Sequence, residues 1–319
     1  MRTTLVGSYL KVSGSKLDNL PGTIDRWQRQ LISDEALEQE IQKVIRRVIG
    51  EQEHVQLDLI TDGQIRWEDL PHPLVRSVEG IRRGALRRFF DNNVYYRRLE
   101  LNGGVQWEKS SVVEEFQFAS KIARKPVKMV LPGPLTLVVS TEIQGNQTRE
   151  ELLSLYTDLL RKEVEALEGT GIREIQIDEP AFAAGEPLLS EAVQAVNKIL
   201  KGVKARRWVA CYFHDVSTVL PALAKLQVEV LSLDLVSGSR VTDHLKERVW
   251  SGEISLGLID ARNTKLETVS DLVRQVEAVA KVIPANRLWL SPNCGLEFLP
   301  HEAVLKKLQL LQEVGRRLS

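Results

Sequence analysis

The sequence predicts an α/β protein, and more closely a (β/α)8 TIM barrel carrying an inserted arginine- and aromatic-rich excursion after its second strand. Two observations predict it. Eight short apolar runs, most of them ended by a glycine, proline or carboxylate, are spread over 319 residues. Most are separated by segments with helical periodicity, and connections of that length demand parallel pairing. An open, doubly wound sheet satisfies the same alternation, so closure is an expectation and not a reading of the pattern.

The elements follow in order. Arg2 to Val6 is a β-branched run stopped by Gly7-Ser8. About 25 polar residues lead to Ser33-Asp-Glu-Ala, a helix start. Leu37, Ile41, Val44, Ile45 and Val48 then recur at helical spacing. Val55 to Ile60 is the second strand, with Thr61-Asp62-Gly63-Gln64 as its turn. Residues 65–110 are the excursion. Arg82, Arg83, Arg87, Arg88, Arg97 and Arg98 are interleaved with Phe89, Phe90, Tyr95, Tyr96 and Trp107, and Asp91-Asn92-Asn93 suits a hairpin turn. A connection this long is usually functional. Regular alternation resumes with a helix over 110–123, the strand Val127 to Leu131 and the turn Pro132-Gly133-Pro134. Thr148-Arg-Glu-Glu151 is a capping box opening a helix to about Glu168. Further strands are expected at Glu174–Ile177, Trp208–Tyr212, Val230–Asp234, Ile254–Ile259 and Leu288–Leu290. Helices are expected over 189–201, 216–226 and 240–250, from a second capping box at Thr264-Lys-Leu-Glu267, and over 301–317. Neither linker nor low-complexity segment intervenes, so one catalytic domain over 1–319 is expected.

Composition narrows the function classes. Lys plus Arg and Asp plus Glu are both 43, so no overall field favours nucleic acid or an anionic membrane. No apolar run approaches the roughly 20 residues that span a bilayer. Two cysteines in such a chain make no disulfide framework, and a reducing cytoplasm is the expected location.

In a barrel the chemistry sits where strands end. Those positions hold Gly7-Ser8, Asp62-Gly63-Gln64, Pro132-Gly133-Pro134, Asp178-Glu179, Cys211, Asp234, Asp260 and Asn293-Cys294. Singly, each has an ordinary explanation: glycine and proline punctuate turns, aspartates cap helices, and a buried cysteine fills space. Convergence on one face is what favours chemistry. Two cysteines with a carboxylate or imidazole form a borderline-soft donor set whose commonest occupant is tetrahedral zinc. Such a metal lowers the pKa of a bound thiol and leaves a nucleophilic sulfur.

Thr3-Thr-Leu-Val-Gly-Ser8, Asp58-Leu-Ile-Thr-Asp-Gly63, Pro132-Gly-Pro-Leu-Thr136, Gln176-Ile-Asp-Glu-Pro-Ala181 and Ser291-Pro-Asn-Cys-Gly-Leu296 together resemble the cobalamin-independent methionine synthase family. The resemblance is closest to its short, single-barrel members. It implies a zinc-bound homocysteine thiolate that attacks a methyl donor to give methionine. By position, Cys294 and Cys211 match zinc-binding cysteines, and Asp234 stands at the glutamate ligand. Gly7 and Ser8 match the turn that holds the amino-acid carboxylate, and Asp178 matches the carboxylate that holds its ammonium group. Asp178 and Asp260 are the candidate catalytic carboxylates.

The departures carry equal weight. Val209 replaces the histidine of the family's His-x-Cys pair, leaving His214 as the nearby imidazole. Gln64 replaces a glutamate that helps hold the amino group. Ser140, Ala184 and Arg262 stand where the full-length enzymes carry folate-handling residues, Arg262 in place of a histidine acid. A folate amine leaves only when protonated. The resemblance to the short members therefore implies methylcobalamin or a methyl-corrinoid protein as donor, with the segment 82–107 as its docking lip or, equally, a solvated flap. The competing expectations are a zinc-depleted accessory or ligand-binding paralogue and an alkyltransferase acting on another thiol.

Overall fold

The computed structural model describes residues 1–13, 18–89, 94–238, 241–247 and 250–318. In chain order the first elements are β1 (Arg2–Thr3), α1 (Leu20–Gln28), α2 (Asp34–His54), α3 (His72–Ser77), β2 (Val78–Arg88) and β3 (Tyr95–Trp107). Next come α4 (Val113–Ile122), β4 (Lys128–Pro132), α5 (Pro134–Ser140), α6 (Arg149–Glu168), β5 (Glu174–Asp178) and α7 (Leu189–Ile199). The chain closes with β6 (Arg206–Cys211), α8 (Leu220–Leu223), β7 (Val230–Asp234), α9 (Val241–Glu247), β8 (Glu253–Ile259), α10 (Val269–Ala280), β9 (Leu288–Pro292) and α11 (His301–Arg317).

Seven strands form one parallel sheet in the order β1-β9-β8-β7-β6-β5-β4. Its two edges are linked through Leu59 and Ile60, because Thr4 bridges Leu59 and Ile60 bridges Val127, both in parallel. The expected second strand over Val55–Ile60 is thus reduced to that pair of bridges. Helix α2 runs on to His54, and Gln56 turns the chain with φ of 63°. Only then does the backbone extend.

The two faces of the sheet differ sharply. Ile175, Ile177, Val209, Leu231, Leu233, Leu256 and Leu290 alternate onto one face and join the buried helix residues in the main core. The opposite face is polar in long stretches: Glu174, Gln176 and Asp178 on β5, Ser232 and Asp234 on β7, Ser255 on β8 and Ser291 on β9. At its far end Trp208, Trp289, Leu59 and Val230 form a separate apolar cluster. Arg2 and Arg206 stack on those tryptophans, with Arg2 4.2 Å from the Trp289 ring centroid.

Strands β2 and β3 form a separate antiparallel pair. The expected Asp91-Asn92-Asn93 turn lies outside the described residues. At least four of the six arginines of this segment are engaged: Arg82 with Glu100, Arg83 and Arg97 with Glu68, and Arg98 with Glu142. The segment is therefore not a bare cationic surface.

Helix starts were partly mislocated by the sequence. The capping box at Thr148 forms as expected. That at Thr264 does not: the helix starts one turn later, capped by Thr268, whose side chain accepts from the Asp271 N–H. Glu267 is used elsewhere, accepting from the Asp260 N–H at 2.8 Å and pairing with the fully buried Lys307 at 2.9 Å. The helix expected over 216–226 is a 3-10 turn, Val216–Thr218, followed by the single turn α8, since Pro221 fits only a first turn. Helix α1 lies in a stretch expected to be irregular, with Asn19 accepting from the Gly22 N–H and Pro21 in the first turn.

Candidate active site

The turns after β1, Ile60, β5, β6 and β9 surround a cavity of about 420 Å³. Ser8, Lys11, Gln64, Trp67, Asp178, Tyr212, Phe213 and Glu297 line it, and Phe89, Tyr95 and Tyr96 wall its outer side. Of the residues picked out by sequence, Ser8, Gln64 and Asp178 meet here.

Asp178 ends β5 and is 2% exposed. One carboxylate oxygen accepts from the Gln176 amide at 2.5 Å and the other from the Tyr212 hydroxyl at 2.9 Å. Burial pushes its carboxyl above the usual range, against the pull of those donors and of the Lys128 ammonium. Gln64 sits in the left-handed region with φ of 54°, its N–H donating to Asp62 at 2.9 Å. Its side-chain amide nitrogen is buried without a hydrogen-bond partner. A Cβ on Gly7 would lie 2.7 Å from that nitrogen, so only glycine lets the amide reach the cavity. The Ser8 hydroxyl donates to Glu297, and the Ser8 carbonyl accepts from the Leu296 N–H at 3.0 Å, tying the first turn to the last. The Lys11 ammonium donates to the Trp67 carbonyl, with Glu297 and Asp69 as its charged neighbours. Phe213 has φ of 77° and packs edge-on to Tyr212 and Phe89. Strain of this kind is held where the surroundings over-determine it, as at ligand sites.

Glu179, the next residue, does structural work. It accepts from the Leu135 and Thr136 N–H groups at 2.8 and 2.7 Å and from the Thr136 hydroxyl. It thereby fastens the end of β5 to the start of α5. Burial raises its carboxyl to about 8.

Sequence spacing gave no mark for Lys11, Tyr212 or Glu297, which reach the cavity through tertiary folding. Lys128 and Gln176 were visible as polar residues alternating within apolar strands, the pattern of a polar inner face.

The other candidates do not join them. Asp234 is buried and its carboxylate is saturated. It accepts from the Phe213, Val236 and Ser237 N–H groups, the Ser237 hydroxyl and the Asn293 amide, at 2.7–3.2 Å. Cys211 pairs in register with Leu233, so strand alternation sets the thiol on the helix-facing side and Asp234 on the other. Cys294 is 2% exposed, its thiol 3.8 Å from the Gly295 carbonyl. Burial pushes both thiols above their ordinary value, with Glu179 and Asp234 acting on Cys211 and Glu297 and Asp234 on Cys294. His214 is half-buried beyond Phe213. Asp260 accepts from the Arg262 N–H at 2.9 Å and borders a different groove, with Asn263, Lys265 and Thr268.

Compared with known proteins, residues 1–317 match the family model described as cobalamin-independent synthase, catalytic domain. The chain belongs to this family. A methionine synthase from Sulfolobus acidocaldarius is 25% identical over 308 residues, covering 96% of this chain and 88% of that one. A 5-methyltetrahydropteroyltriglutamate–homocysteine methyltransferase from Bacillus licheniformis is 26% identical over 99% of this chain and 42% of its own length. Among solved structures, a B12-independent methionine synthase from Shewanella sp. W3-18-1 superimposes with a TM-score of 0.82 at 22% identity, covering 99% of this chain and 97% of that one.

Membership in the cobalamin-independent synthase family overturns the expectation of methylcobalamin as donor and of a corrinoid protein as partner. A histidine replaced by Arg262 constrains only how a leaving group is protonated; it does not select cobalt. Arg262 in fact places its guanidinium 5.7 Å from the Phe213 ring centroid, a cation–π contact.

The zinc that the family resemblance implies does not fit these residues. Among the described residues no three His, Cys, Asp or Glu side chains are grouped to hold a metal. Val209 is fully buried in the apolar core at the position of the family's histidine, and the Asp234 oxygens already accept five protein hydrogen bonds. Among the described residues no helix is long and apolar enough to cross a membrane.

Proposed function

We propose that the protein transfers a methyl group to the thiol of L-homocysteine, giving L-methionine. The observation that carries this reading is the floor of the cavity, in a chain matched almost end to end by a synthase family. An amino acid's ammonium group is complementary to Asp178, which already has two of its acceptor positions defined by Gln176 and Tyr212. Its carboxylate is complementary to the unpartnered Gln64 amide nitrogen and to the Lys11 ammonium. In the reaction the S–CH3 bond forms as the methyl–nitrogen bond of the donor breaks; the donor nitrogen keeps that electron pair and takes up one proton, which balances the proton the thiol loses. The contribution derived for these residues is position: the cavity fixes the amino-acid end so that the sulfur reaches one place, which exchanges translational freedom for rate. We read the scaffold as a single-domain (β/α)8 barrel whose second strand is reduced to Leu59 and Ile60, with β2 and β3 as a flap beside its mouth.

Purified protein incubated with L-homocysteine and 5-methyltetrahydropteroyltriglutamate, the donor named for the Bacillus licheniformis relative, is expected to form methionine detectable by mass spectrometry. Calorimetry is expected to show methionine binding. Absence of both turnover and binding would overturn the proposal. The ungrouped metal-ligand positions favour a second reading, a ligand-binding paralogue, and methionine binding without turnover would support that one.

A further inference from the structure

Below the cavity floor lies a buried chain of polar groups that the proposed reaction does not itself require. Lys128 begins β4, is 1% exposed, and points along the polar face of the sheet. Its ammonium donates to the Leu5 carbonyl at 2.8 Å and to the Gln176 side-chain carbonyl at 2.5 Å, and lies 4.5 Å from the Trp208 ring centroid. The Gln176 amide nitrogen donates in turn to the Val6 carbonyl at 2.8 Å and to Asp178 at 2.5 Å. A buried lysine is costly and persists where it is paired. Here it is paired through an amide with the one carboxylate that faces the ligand space from β5.

We propose that Lys128 is a positioning residue for the amino-acid site, fixing the Gln176 amide with its oxygen toward the ammonium and its N–H toward Asp178, and keeping Asp178 an anion able to receive a ligand ammonium. The inference rests on the assignment of Asp178 to the ligand's ammonium group. With the cation present, the Gln176 amide has one satisfactory orientation, because a flipped amide would set NH2 against NH3+ and oxygen against carboxylate. Without it that preference disappears. The charge argument runs the same way. Burial lowers Lys128 and raises Asp178 from their ordinary values, while each favours the other's charged form. The other groups facing this pair are Glu174 on β5, Glu179 beside Asp178, the Tyr212 hydroxyl after β6 and Glu297 after β9. Among them Glu297 raises Asp178 when charged, and Lys128 is the cation that opposes it.

The test compares the wild type with Lys128→Met and Lys128→Arg. In the free protein, 13C NMR of the aspartate carboxyls reads the Asp178 titration, assigned with Asp178→Asn. Lys128→Met is expected to move its midpoint up by at least one pH unit and Lys128→Arg to move it less. Calorimetric titration with methionine is expected to show affinity falling about tenfold at pH 7 in Lys128→Met and recovering as pH rises through the shifted midpoint. A purely structural lysine would weaken binding equally at every pH with the midpoint unmoved, and that result would overturn the inference. If the wild type binds no methionine, the functional proposal fails, while the carboxyl titration still decides the role of Lys128. Should Lys128→Met not fold, Gln176→Leu breaks the same link while leaving the cation, and an unmoved Asp178 midpoint there would count equally against the inference.

Discussion

Substituting Asp234 by asparagine separates two accounts of the same carboxylate. In the structure one oxygen accepts from the Val236 and Ser237 N–H groups and the other from the Phe213 N–H, the Ser237 hydroxyl and the Asn293 amide. Asparagine keeps one acceptor oxygen and puts an NH2 group where the other stood, so at least two donors lose their partner and face a donor instead. Each hydrogen bond to a charged acceptor is worth about 1.5–3 kcal/mol, which makes the expected loss about 3–6 kcal/mol. The hydroxyl of Ser237 can rotate and recover part of it, so the lower half of that range is expected. Urea denaturation is the assay, and the midpoint should fall with an unchanged slope, because neither state becomes more compact. Metal content by elemental analysis, on wild type and variant prepared with zinc, runs beside it. A loss under about 1 kcal/mol, accompanied by disappearance of one bound zinc per chain, would refute the argument and make Asp234 a ligand.

Asp178→Asn is expected to raise the dissociation constant for methionine about 10–150-fold, the worth of one charge-assisted hydrogen bond, and a change under threefold by calorimetry would count against its role. Gly133→Ala places a Cβ 2.2 Å from one oxygen of the Glu179 carboxylate, a group that three donors hold in place, so destabilisation of about 2–4 kcal/mol is expected in thermal or urea unfolding. Glu115, which accepts from the Trp67 indole at 2.8 Å and pairs with Arg76, is raised to about 7 by burial and by the Asp62 charge. A carboxyl raised on folding stabilises most when protonated; that contribution is complete below the unfolded value and is lost as pH rises toward 7. Relative to Glu115→Gln, the wild type should therefore lose up to roughly 3 kcal/mol between pH 4.5 and 7, and parallel stability curves would refute it.

The sequence was legible where local chemistry decides the outcome. Strand ends at Asp178, Asp234 and Pro292 lie where apolar runs stop, and Thr148 caps its helix because nothing competes for Glu151. It failed where two local solutions tie. Thr264 and Thr268 both precede an acidic residue by three positions, and tertiary demand on Glu267 from Asp260 and Lys307 breaks the tie. Val55 to Ile60 reads as a strand by composition, yet the preceding helix takes up the chain to His54 because Val44, Ile45, Val48 and Ile49 continue an apolar stripe into the core. Three residues taken from the methionine-synthase likeness, Ser8, Gln64 and Asp178, line one cavity, but likeness of sequence motif says nothing about whether Cys211, Cys294 and Asp234 converge in space.

That last point turns on strand register. Side chains on one strand share a face only if they alternate onto it, and on β6 alternation puts Val209 and Cys211 on one face and Trp208 and Ala210 on the other. An imidazole at position 209 would have had to leave an apolar layer in order to bind a metal, and a strong metal–nitrogen bond would offset that cost. Valine has no such incentive and stays in the core, fully buried. Asp234, whose charge still reaches the Cys211 thiol, organises the Ser237 turn and Asn293. The buried Val209 and the hydrogen bonds of Asp234 are thus the two features that set this end of the sheet apart from the ligand set the family resemblance implies.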